Sequence, residues 1–113
     1  MATADHAVSG VAGRYANALF DLATDDKSVA KTGDALASFM GLVEGSPELQ
    51  RLMRSPVFKV ADQTASIEAL AAKAKINGLA LNFLKLMSAN RRLAAVPDAI
   101  RGFHALVAKS KGE

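Results

Sequence analysis

The side chains able to do chemistry are few in this chain of 113 residues. It has two histidines and no cysteine. His6 stands near the amino terminus and His104 far down the chain, and neither has a second histidine one helical turn away. Without cysteine, disulfides and thiolate metal sites are excluded, which fits a reducing compartment. There is no HExxH pair and no clustered acid set, so no zinc or di-iron site is expected. Ser9, Ser28, Ser46 and Ser110 stand in no motif that supplies a base. A glycine-rich phosphate loop is absent. Gly10 and Gly13 fall inside a helical pattern instead, where close helix packing is their expected use. The sequence therefore predicts no catalytic residue, no metal, no cofactor and no enzyme. Only a polar pocket built from Glu68, Arg101 and His104 would revive an enzymatic reading.

Charge gives little more. The formal net charge is +3, with basic residues scattered along the chain, too weak a signal for nucleic acid. Residues 67–85 can be set in helix-turn-helix spacing with Asn77-Gly78 in the turn. The second helix would then open on Leu79-Ala80-Leu81, where base-reading side chains belong, and only Asn82 and Lys85 could reach DNA. Lys73, Lys75, Arg91 and Arg92 read more simply as solvated charges near helix ends. A generic nucleic-acid-binding or regulatory helical module remains the alternative class. Salt-dependent retention on DNA would mark it.

What the sequence does offer is apolar surface, and the elements that carry it can be read from punctuation. Half of the residues are hydrophobic and only 5% aromatic, with alanine and leucine abundant, which favours helices around one core. Asp5 can cap a first helix to about Ala23. Ser28 or Asp26 can cap a second, carrying Val29, Thr32, Leu36, Phe39, Met40 and Val43 inward as far as Glu44. Ser46-Pro47-Glu48 opens a short third helix that Ser55-Pro56 ends. Val57-Phe58 is expected to plug a gap between helices. A fourth helix covers Val60 to Lys75, with Ile67, Leu70, Ala71 and Ala74 inward. After the Asn77-Gly78 break a fifth runs from Leu79 to about Asn90. Val96-Pro97-Asp98 starts a sixth, with Ile100, Phe103, Leu106 and Val107 on one side, and Lys109 to Glu113 form a polar tail. No strand alternation, repeat or bilayer-length apolar run appears. The amino terminus lacks the basic start and apolar centre of a signal peptide, so a soluble chain is expected. The fold class is all-α: a six-helix bundle in a single domain.

Two of these helices are too apolar for one packing face. In the first, Val8, Val11, Ala12, Tyr15, Ala16, Ala18, Leu19, Phe20, Leu22 and Ala23 share an arc of roughly 200°, against the ~100° that a core-lying helix needs. Gly10, Gly13, Arg14, Asn17 and Asp21 mark its wet side. In the fifth, Ile76, Leu79, Ala80, Phe83, Leu84, Leu86, Met87 and Leu93 span about 180°. Either both helices are central and wholly buried, or their surplus faces form a groove for an amphipathic partner helix.

The stretches VAGRYANALFDLA at 11–23, SPVF at 55–58, NFLKLMSANRRL at 82–93 and VPDAIRGFHALV at 96–107 give the chain a family likeness. They resemble the delta subunit of bacterial F-type ATP synthase, counterpart of the mitochondrial oligomycin sensitivity conferral protein, from about Val8 to Val107. The resemblance implies a non-catalytic stator part whose six-helix amino-terminal domain sits on the catalytic head, peripheral to the cytoplasmic face of the inner membrane. It implies a groove between the first and fifth helices that takes the amino-terminal helix of an alpha subunit. It implies contact with the b subunits of the peripheral stalk only through a carboxyl-terminal domain that this chain lacks. Residues 1–113 are therefore expected as the amino-terminal domain, ordered over about 5–108. Neither nucleic acid nor membrane insertion is implied. Carried over by position, the groove falls on Tyr15 and Ala18, with Val11 and Leu22 on the same side, and on Leu86, with Leu79, Asn82, Phe83 and Asn90 beside it. Ala12, Ala16, Leu19, Phe20 and Ala23 would then face the core from the first helix, and Ile76, Ala80, Leu84 and Met87 from the fifth.

Overall fold

The computed structural model describes residues 10–112; the expectations for Asp5, His6, Val8, Ser9 and Glu113 lie outside them. Six α-helices and one 3₁₀ turn follow one another, with no strand among the described residues. They are α1 (Gly10–Asp25), α2 (Val29–Glu44), α3 (Pro47–Arg54), α4 (Val60–Ala74), α5 (Gly78–Ala89), the turn Leu93–Ala95, and α6 (Val96–Gly112). Proline opens α3 and stands second in α6, where no intrahelical amide is lost. Ser46 caps α3, its hydroxyl accepting the Leu49 N–H at 3.1 Å. Ser28 holds the same position before α2 but makes no capping bond, and its hydroxyl lies 3.3 Å from that of Thr32.

Three helices end in the same way. Lys27, Lys75 and Arg91 have φ of 57°, 61° and 58°, the left-handed conformation usually left to glycine. At each, two amides turn back onto the last helical turn: Ser28 to Ala23 and Lys27 to Thr24, Ile76 to Ala71 and Lys75 to Ala72, Arg92 to Met87 and Arg91 to Ser88. This is the Schellman closure, here with basic residues in place of glycine, where a cation also suits the helix dipole.

One core unites the helices. Phe39, Phe103, Leu36, Ile67, Leu84, Met87 and Val96 are its largest wholly enclosed apolar side chains. The helix α1 packs most extensively on α6, and α4 on α5. Small buried residues on both partners, Ala12, Gly13 and Ala16 on α1 and Ala99 and Gly102 on α6, suit close approach of α1 and α6. Phe20 lies edge-on to Phe103 with ring centres 6.0 Å apart. Buried polar groups are matched: the Thr64 and Ser88 hydroxyls meet at 2.6 Å between α4 and α5.

Several expectations change. Gly13 is buried rather than wet, on the helix that packs most extensively on α6, whereas Gly10 is exposed with nothing near enough to pack on among the described residues. Val57 is 84% exposed and plugs nothing. The Ser55 hydroxyl accepts the Val57 N–H at 3.3 Å, a tight turn that carries the Val57 side chain outward and leaves only Phe58 half-buried. The polar tail is helical as far as Gly112. Ile76 and Leu93 are buried but flank α5 rather than belong to it, so the apolar arc of that helix is narrower than the expected ~180°. No helix among the described residues is long and apolar enough to cross a membrane.

Candidate functional site

Two faces of α1 are apolar, and only one is covered. Ala12, Ala16, Leu19 and Ala23 are buried and Phe20 half-buried, as their place on the wheel requires. On the other face Val11 and Tyr15 are half-buried, Ala18 is exposed and Leu22 is 55% exposed. On α5, Ala80, Leu84 and Met87 are sealed in the core, Leu79 is half-buried, Asn82 is exposed and Leu86 is 49% exposed. The surplus apolar faces therefore reach solvent.

They also meet. A trough of about 120 Å³ runs between the two helices, lined by Tyr15, Ala18 and Leu22 on one side and Leu79, Asn82 and Leu86 on the other. Phe83, only 5% exposed, and Leu19 lie at its floor. Leu19 was expected in the core alone. A position between the two faces serves both, and periodicity cannot divide it. Asn90 closes one end, its amide donating to the Tyr15 hydroxyl at 2.9 Å. The amino-terminal half of α1 thus lies beside the carboxyl end of α5. Val11 is not in the trough proper. It lines an adjoining cavity of about 270 Å³ with Arg14, Tyr15 and Arg92. Small Ala18 leaves room for a close backbone, while the Tyr15 ring offers area to bury.

The end of α5 is braced by a residue that sequence reasoning took for a solvated charge. The Arg91 guanidinium donates to the Phe58 carbonyl at 2.7 Å, the Pro56 carbonyl at 3.0 Å and Gln63 Oε1 at 3.1 Å. Gln63, itself buried, donates on to the Leu52 carbonyl at 2.9 Å. One side chain thus ties the α5 terminus to the α3–α4 connection and to α4. No motif or periodicity in the sequence marks this role.

The remaining polar candidates go elsewhere. Glu68 pairs with Lys85 at 3.3 Å, Arg101 pairs with Asp98 one turn earlier, and His104 stands edge-on to Phe103. Ser110 donates to the Val107 carbonyl. No group of three or more metal-ligating side chains occurs among the described residues.

Six helices on one core, with an apolar trough left open between two of them, define an all-α bundle. The chain belongs to the ATP synthase delta (OSCP) subunit family, whose model matches residues 11–113. It is 54% identical to the ATP synthase subunit delta of Nitrobacter winogradskyi and 56% identical to that of Rhodopseudomonas palustris strain BisA53. Each match runs over all 113 residues and 61% of the relative. The protein of the same name from Methylobacterium nodulans is 52% identical over 105 residues, 93% of this chain and 55% of the relative. The chain thus spans about three-fifths of the length of curated relatives that it matches.

Proposed function

We propose that this chain is a non-catalytic stator component of an F-type ATP synthase, and that the α1–α5 trough holds the amino-terminal helix of an alpha subunit. The observation that carries this reading is the pair of exposed leucines, Leu22 and Leu86, on facing rims of a trough with apolar walls. Water-exposed leucines set opposite one another over a phenylalanine floor match the anchor positions of an amphipathic helix. In this reading the chain is a part of the synthase outside its catalytic sites, peripheral to the membrane on its cytoplasmic face. The longer protein's remaining domain would reach the b subunits of the peripheral stalk.

The mechanism follows from mechanics. Rotation in the head exerts torque on the alpha–beta ring, and the stator must hold that ring without slipping. A helix in this trough would bury ~800 Å² per side, with a few aromatic and leucine anchors carrying most of the energy. Apolar burial is not screened by physiological salt, whereas rim ion pairs are.

The test is titration of the protein with the alpha amino-terminal peptide, followed by NMR shifts or calorimetry. Shifts should concentrate on α1 and α5 together. Tyr15→Ala and Leu86→Asp should each weaken binding by at least about 1–2 kcal/mol, with helicity by circular dichroism unchanged. Unaltered affinity in both variants would remove the assignment. Retention on DNA that salt abolishes, without peptide binding, would favour a nucleic-acid module instead.

A further inference from the structure

The trough does not end on apolar residues. At the end closed by Asn90, the adjoining cavity of about 270 Å³ is walled by Arg14, Arg92, Val11 and Tyr15. The two guanidiniums come from α1 and from the residue before the 3₁₀ turn. Neither has an acid partner among the described residues; the ion pairs found there are Lys85 with Glu68 and Arg101 with Asp98. Arg91, which precedes Arg92 in sequence, is occupied on the α3–α4 side. Tyr15 adds a third donor. Its oxygen already accepts from the Asn90 amide, so its own hydrogen is directed to another acceptor. Two guanidiniums and a hydroxyl with no anion among them suit a carboxylate, which accepts several hydrogen bonds and pairs with guanidinium in a planar fork. The far end of α1 has the opposite character, closing on Asp25 and Asp26 before Lys27.

We infer that this cavity is a carboxylate subsite of the trough. It takes an Asp or Glu side chain of the docked helix and so fixes the direction in which that helix lies. The inference rests on the proposed docking of an alpha amino-terminal helix and adds to it the required chemistry. The helix carries an acid at the end placed over Arg14 and Arg92, beyond its apolar anchors. Apolar contacts alone tolerate a reversed helix; a carboxylate that must meet Arg14 and Arg92 does not.

The experiment titrates the protein with the alpha amino-terminal peptide and with versions in which each Asp and Glu is replaced singly by Asn or Gln. One replacement should weaken binding about fivefold at low salt, the size expected of a partly exposed charge pair, and the loss should shrink as salt rises. In the variant R14Q/R92Q the parent peptide and that amide version should bind alike. Tyr15→Phe keeps the ring and should lessen the preference for the acid without abolishing binding. A spin label at one peptide terminus should broaden signals near Tyr15 and not those near Leu22, and reversing the peptide's charged end should exchange the two. If the parent peptide binds but no amide replacement matters, or the preference survives in R14Q/R92Q, the subsite is overturned while the trough stands. If the parent peptide does not bind at all, both fall.

Discussion

Arg91 shows how much one side chain can do outside any motif. Its three hydrogen bonds join the end of α5 to Pro56, Phe58 and Gln63. Removing them in Arg91→Ala leaves the Gln63 amide oxygen without a donor in a buried side chain, and should cost about 1–3 kcal/mol. A lower urea midpoint at unchanged slope would show it. Lys75 has the same left-handed conformation but no side-chain hydrogen bond or ion pair among the described residues. The left-handed conformation costs a non-glycine residue about 1–2 kcal/mol, and glycine gives back about 0.4–1 through its freer unfolded chain. Lys75→Gly should therefore raise stability by up to about 1 kcal/mol, whereas Arg91→Gly should lower it. Opposite signs at nearly equal φ would separate the side chain's contribution from the strain. None of this was legible in the sequence. A long side chain reaching loop carbonyls leaves no periodic trace, and the apolar doublet Val57-Phe58 concealed the turn that presents those carbonyls.

The helices themselves were legible because their ends are written in local chemistry. Ser46-Pro47 opens α3 where expected, Gly45 and Asn77 fall between helices with Gly78 as the first residue of α5, and Pro97 lies in the first turn of α6. The two serine caps differ in a way that only coordinates reveal. Ser46→Ala removes a real capping bond and should cost about 1 kcal/mol, while Ser28→Ala should cost less than about half of that. Thermal melts of the two variants side by side measure the contrast. The surplus faces of α1 and α5 were legible too, since a helix periodicity of 3.6 assigns each residue a direction. The sharing of Leu19 between core and trough was not, because that depends on the angle at which α5 crosses. Gly13 was misplaced for a related reason: a wheel shows which way a residue points, not which neighbour stands there.

The whole bundle should tolerate repainting of its open trough, since Leu22 and Leu86 lie outside the sealed core. In the variant L22K/L86K the melting temperature should stay within a few degrees, as for surface changes worth about 0.5 kcal/mol or less. Any self-association of the chain at high concentration should fall, because an exposed apolar strip favours pairing. Sedimentation velocity across a concentration series reads this directly. The trough has a further property that follows from where its two walls come from. Tyr15 and Asn90, which close one end of it, are 75 residues apart in the chain. Neither wall exists as a binding surface until the intervening helices have folded and brought the other beside it. A half-synthesised or misfolded copy therefore presents no trough, and a partner that docks there, as proposed, would select folded copies in the act of binding.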